Sequence, residues 1–302
     1  MEWLDRFLKE VHGFPRPDWE EIYSYVDNNL ADSEQQTLWC DIAKAWMAKV
    51  LTKLPDNYAI HESENFILVT SETDNYVSIF QNFLEQTLKQ ILTSLHGIAS
   101  DDGYGKHLVI IFDDLDSYYS YLSYFYPNEG EFGLSSGIYL NKGYGHFVFP
   151  YQELHYAESI AAHEMTHALV SHLPIPAWLN EGMAVGIENM ITGSAPLRMD
   201  NKKYAKHQSF WKDNIQEFWS GDSFHRIDEG QDLSYHLAQF AVESLSQDYE
   251  TFIEFANTAH YDDGGEAAAN TVYEGSLGNL ITQYFGEGEW TPKPEIWEVE
   301  ES

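Results

Sequence analysis

Two histidines four residues apart enclose a glutamate in the run His163-Glu164-Met165-Thr166-His167. On an α-helix, positions i and i+4 share one face, so both imidazoles can reach one metal ion. Glu164 lies one residue, roughly 100° of helix rotation, from His163 and flanks the ion without binding it. A carboxylate there is placed to take a proton from water at the metal. A catalytic zinc typically has three protein ligands and keeps the fourth position for water, so a third ligand must follow. The extended motif, with a glycine and a third histidine further along the same helix, is excluded because those positions are Val170 and Leu173. The alternative is a glutamate from a second helix. Beyond Pro174-Ile175-Pro176, the run Ala177-Trp178-Leu179-Asn180-Glu181-Gly182 supplies Glu181 where a new helix would begin. The candidate ligands are therefore His163, His167 and Glu181, and two imidazoles with one carboxylate favour zinc, with manganese or cobalt as substitutes in vitro. His172 points to the opposite helix face and reads as a surface or packing histidine.

His163 to His167 followed by Pro176-Ala177-Trp178-Leu179-Asn180-Glu181-Gly182-Met183-Ala184-Val185 resembles the gluzincin metallopeptidases, the thermolysin-like superfamily. In particular it resembles bacterial members with a W-L-x-E-G-x-A helix soon after H-E-x-x-H. The resemblance spans about Phe66 to Phe285 and is strongest between His163 and Glu188. It implies zinc-dependent hydrolysis of peptide bonds, with Glu164 as general base on a zinc-bound water. It also implies a tyrosine opening a later helix and hydrogen-bonding the oxyanion. Tyr235 matches that position, and His236 is the competing donor. Many gluzincins carry an Asp four residues after the ligand Glu; here that position is Val185. The family's edge strand, which binds extended peptide by backbone pairing just before the zinc helix, corresponds to Leu134 to Leu140 or His146 to Phe149. No G-x-M-E-N-like run precedes the zinc helix. The nearest stretch, Phe132-Gly133-Leu134-Ser135-Ser136-Gly137, lacks the acid that holds a substrate amino terminus, which points to an endopeptidase.

The rival is a zinc-stabilised protein-binding module without catalysis. Glu164 counts against it, because a structural metal site has no use for that base. Charge narrows the partners: 49 acidic against 16 basic side chains give a formal net charge of −33. Such a surface repels nucleic acid and anionic lipid, while the resemblance implies a peptide or protein as the substrate. The single Cys40 forms no internal disulfide and, beside Trp39, reads as packing. Met1 to Arg6 has no cationic leader before an apolar run, and no stretch is long enough to span a membrane, so a cytoplasmic location is expected. Oligomeric state is not written in the sequence.

The elements that must position these groups follow from periodicity. Residues 1–60 read as an N-terminal helical region, with a Trp3–Val11 stripe, a helix from Pro17-Asp18, and a long helix capped by Ser33. Strands at Phe66–Thr70 and Leu108–Phe112 flank an amphipathic helix, Val77–Leu95, in which Ile79 is among the inward residues. The tyrosine-rich run Tyr118–Tyr126 reads as packing at helical spacing. Gly137–Asn141 and His146–Phe149 form a hairpin. Helices follow the zinc motif at Lys203–Trp219, from Asp232, at Tyr249–Ala259 and at Ser276–Phe285. The expected fold is α+β and mostly helical. A small mixed sheet has its edge strand just before the zinc helix, and a helical part follows. The expected organisation is a helical region (1–60), a metallopeptidase-like domain (61–288) and an acidic tail (289–302) held where Trp290 or Trp297 docks.

Overall fold

The structure is a computed structural model and describes residues 3–29, 32–126, 136–194 and 200–297. Leu134 and Ser135 of the expected edge strand lie outside the described residues, as do Phe132, Gly133 and the side chain of the expected cap Ser33. The fold is α+β and mostly helical. It divides into two compact units, Met1–Leu92 with Asp101–Ala168, and Thr93–Ser100 with Leu169–Ser302. Residue 60 falls inside the first of these.

The first unit opens differently from its expected helix. After a 3-10 turn at Leu4–Phe7, strands β1 (Leu8–Val11) and β2 (Phe14–Pro17) pair antiparallel. His12 and Gly13 turn the hairpin with φ of 51° and 76°, the left-handed pair that a two-residue hairpin loop requires. Pro15 and Pro17 cannot donate to a helix ladder, so the apolar stripe folds back as a ribbon. Helix α1 (Trp19–Asn29) starts after Asp18, and α2 (Asp32–Leu51) buries Trp39, Ile42, Trp46, Met47 and Val50.

Strands β3 (Ala59–Glu62), β4 (Phe66–Thr70), β5 (His107–Phe112), β6 (Ile138–Leu140) and β7 (His146–Pro150) form one sheet in the order β3-β4-β5-β7-β6. β3 has too few apolar residues to declare itself by periodicity. β4 pairs parallel with β5 across helix α3 (Asp74–Ser94), making the expected crossover, and β5 pairs parallel with β7. In α3, Ile79 is exposed rather than inward, while Val77, Phe80, Leu84, Leu88 and Ile91 are buried. Ile67, Val69, Leu108, Ile110 and Val148 join α1, α2 and helix α4 (Leu115–Leu122) in one core. Alternate residues on the same strands, Phe66, Leu68, Val109, Phe147 and Phe149, are also buried, so both faces of the sheet are covered. Tyr118 and Tyr121 pack in that core, as expected of the tyrosine run. Helix α5 (Leu154–Val170) begins in this unit.

The second unit is helical: α6 (Ala177–Thr192), α7 (Asn201–Ser220), α8 (Glu229–Leu245), α9 (Tyr249–Thr258), α10 (Glu266–Val272) and α11 (Leu277–Phe285). Aspartates 200, 228 and 248 cap α7, α8 and α9 by accepting backbone N–H bonds. Its core is built on Trp178, Trp211, Phe218, Trp219 and Phe255, with indole N–H groups donating to carbonyls: Trp178 to Gly264 at 2.9 Å and Trp219 to Trp290 at 2.7 Å. Trp290 is buried and Trp297 donates to Gln216, so the segment after α11 is tied down as far as Trp297. Among the described residues no helix is long and apolar enough to cross a membrane.

Candidate metal centre

Helix α5 carries the motif for the reason its sequence suggests. Ala157, Ala161, Ala162, Met165 and Leu169 are buried along one side, and Thr166 returns its hydroxyl to the Ala162 carbonyl at 2.9 Å. The remaining arc holds His163, Glu164 and His167, all half-buried. The two imidazole rings stand 4.7 Å apart between centroids and cross at 83°. His172 falls beyond the end of the helix and is exposed, as expected.

Glu164 is held by the strand before the helix. Its Oε2 accepts the backbone N–H of Tyr139 at 2.8 Å. Tyr139 is the middle residue of β6, the strand at the outer edge of the sheet. Of the two segments expected to provide that edge, His146–Pro150 lies inside the sheet between β5 and β6, so the edge belongs to Ile138–Leu140. The Tyr139 N–H that reaches Glu164 points away from β7, on the side where an added strand would pair. Gly137 permits the approach of this strand to α5. A Cβ there would stand 2.3 Å from Phe149 and 2.7 Å from Ile160. Sequence reasoning found neither the Tyr139 contact nor the need for Gly137, although a glycine at a strand entrance is a signal of close backbone approach.

Glu181 sits in the second turn of α6, half-buried. Pro176 precedes the helix in an extended conformation, the arrangement that stops one helix and starts another. Next to it, Gly182 is required by packing. A Cβ would lie 2.5 Å from the Ala238 carbonyl oxygen of α8. The glycine of the Glu181-Gly182 pair therefore serves helix contact, while the glutamate faces elsewhere.

His163, His167 and Glu181 form the one group of three side chains able to hold a metal ion found among the described residues. Their ligand atoms all lie within 4.8 Å of one another. Two imidazoles and a carboxylate converging at this range, each half-buried, suit a divalent transition-metal ion. Cys40 is buried in the first unit and is no part of this group.

Tyr235 and His236 follow one another on α8, so their side chains diverge by roughly 100°. Tyr235 is half-buried, with its ring edge-on to Phe224 at 5.3 Å. His236 turns toward α7, its ring 5.8 Å from that of His207. Burial holds His236 below the ordinary histidine range, with Lys203 adding to the effect.

No family model matches the chain, and neither the curated proteins nor the solved structures contain a significant match to it.

Proposed function

We propose that this chain is a zinc-dependent metallopeptidase of the gluzincin kind, hydrolysing internal peptide bonds. The observation that carries the reading is the convergence of His163, His167 and Glu181 beside a glutamate, Glu164, that does not belong to the ligand group. A zinc ion held by these three would lower the pKa of water toward ~7 and polarise a carbonyl. Glu164 would take the proton of the attacking water and return it to the leaving amine. Its bond to the Tyr139 N–H fixes the carboxylate in one orientation. The same bond ties the base to β6, whose outer edge suits an extended peptide added as a further strand. Tyr235 is the preferred donor to the developing oxyanion, since a phenol suits that task and His236 turns toward His207.

The test joins composition to activity. Protein purified without added metal should contain near-stoichiometric zinc and cleave members of a peptide library, and a chelator should abolish the cleavage. Glu164→Gln should keep the zinc and lose at least ~10²-fold of the rate, the lower end of what a general base contributes. Protein that neither contains nor takes up zinc would sink the assignment. A zinc-loaded chain without chelator-sensitive cleavage would instead be the binding module.

A further inference from the structure

A second pair of histidines, His207 of α7 and His236 of α8, lines a cavity of about 230 Å³ closed by α11. Its other walls are mostly apolar or aromatic, with Leu237, Phe240 and Phe285 inside, Tyr284 edge-on to Phe240 at 4.7 Å and the Gln283 amide at the rim of α11. The Tyr284 hydroxyl is already bonded to Ser244. Among the described residues no Asp, Glu, Lys or Arg side chain lines the space.

The chemistry of the cavity is set by Trp211. An indole N–H can only donate, and that of Trp211 donates to His207 Nδ1 at 3.1 Å. Nδ1 must therefore present its lone pair, and the ring hydrogen resides on Nε2. His207 is only 1% exposed and its Nε2 has no hydrogen-bond partner among the described residues. The ring is neutral at pH 7, because burial first, and then His236, Lys206 and Lys203, push its pKa down to about 4. A buried N–H donor without a partner costs free energy comparable to a lost hydrogen bond, so it marks a place for an acceptor. The same tautomer argues against a metal. Coordination through Nε2 would move the hydrogen to Nδ1, facing the indole N–H.

We propose that this cavity binds a small uncharged aromatic molecule carrying one acceptor oxygen, whose oxygen takes the His207 Nε2–H bond. The size fits one ring, since the cavity exceeds the ~150 Å³ that holds benzene and falls short of the ~300 Å³ at which pockets for drug-sized ligands begin. The ring stacks among Phe240, Phe285 and the His207 imidazole, which already lies near-parallel to Phe285 at 23°. An anion or a cation would enter a lining that carries no counter-ion among the described residues and is disfavoured, since Lys203, Lys206 and Asp232 act on the two histidines from outside that lining. His236, whose Nδ1 is also without a partner among the described residues, supplies either a donor or an acceptor to the ligand's edge.

The test uses the full chain in the presence of a chelator, so that its outcome does not depend on the metal centre. Acetophenone, ethylbenzene, benzoate and benzylammonium are compared by calorimetric titration, with histidine ring nitrogens followed by NMR. Acetophenone should bind about tenfold tighter than ethylbenzene, which has the same shape without the acceptor. Both charged analogues should bind more weakly than acetophenone. His207→Phe should erase the preference for acetophenone while still admitting ethylbenzene. Equal binding of acetophenone and ethylbenzene to the unaltered chain overturns the proposal, as does tighter binding of benzoate. So does a His207 ring hydrogen found on Nδ1, or displacement of acetophenone by zinc added without chelator.

Discussion

The chain holds two histidine pairs that look alike in composition and differ in what they present. His163 and His167 come from one helix, four residues apart, with rings crossing at 83°. His207 and His236 come from two helices, with rings at 33° and 5.8 Å. The first pair lies within reach of a carboxylate, Glu181, and is half-buried. The second lies among aromatic rings, and the Trp211 N–H occupies the nitrogen lone pair of His207 on one side. Proximity of imidazoles is thus a poor guide to ligation. The partner of the other ring nitrogen decides whether a histidine offers a lone pair or a hydrogen.

The sharpest way to break this contrast is to remove one ring from each pair and weigh the metal. His167→Ala should lower zinc affinity by more than the ~10–100-fold that loss of an outer-shell partner costs. His207→Phe should leave zinc content unchanged, read by elemental analysis after dialysis. If the two variants lose metal alike, the distinction between the pairs is wrong. Tyr235→Phe probes the division of labour on α8. It should retain zinc and slow cleavage by about 10²–10³-fold, the usual cost of losing one oxyanion donor. Unchanged turnover would transfer the role to His236 or to another group.

The convergence of His163 and His167 was legible because the two, with Glu164, sit within five consecutive residues, where helix geometry alone fixes the face. Glu181 was legible as well, since the proline pair announces a new helix and the donor count demands a third ligand. The cavity pair was not. His207 and His236 belong to separate helices, and Phe285 closes the space from a third, so no local period reveals them. The one local trace is the His207–Trp211 spacing, i and i+4, which places the indole donor beside the ring. The hairpin at Leu8–Pro17 was misread for a different reason. An apolar stripe compatible with a helix overrode the turn signal in His12-Gly13. Strands β4 and β5 were found because they are continuous apolar runs buried on both faces, the pattern of parallel strands.

A fifth histidine sharpens the comparison by having both nitrogens engaged. His146 is fully buried. Its Nδ1 lies 2.8 Å from the Tyr144 carbonyl and so carries the hydrogen, while Nε2 accepts from the Tyr121 hydroxyl at 2.9 Å. Burial pushes its pKa down to about 4, with Arg16 contributing. Because the folded pKa is depressed, the unfolded chain takes up the proton first as pH falls. Stability is therefore complete above pH ~6.5 and declines between there and pH ~4, by about 3 kcal/mol from this residue. Urea unfolding at pH 7 and pH 4.5 should show His146→Gln losing less stability on acidification than the parent, by about 2 kcal/mol. Parallel losses in the two proteins would mean that His146 does not resist protonation in the fold.

The smallest effect expected concerns the helix that brings the third donor. The proposed metal-binding set depends on α6, and α6 is seated against α8 at Gly182. A methyl group there would stand 2.5 Å from the Ala238 oxygen and 2.9 Å from its carbonyl carbon, both main-chain atoms that cannot swing aside. Gly182→Ala must therefore shift α6, at a cost of about 1–3 kcal/mol, the range for overpacking a tight contact. Gly186, on the same helix, has nothing within 4 Å of its Cβ position. Gly186→Ala meets no obstacle and should instead gain up to about 1 kcal/mol from helix propensity. Paired denaturant melts of the two variants isolate the contact, since residue change and helix are the same. Glu181 adjoins Gly182, so the shift should also raise the rate of zinc release in Gly182→Ala and leave it unaltered in Gly186→Ala. Two variants of equal stability would show that the α6–α8 contact does not need the glycine.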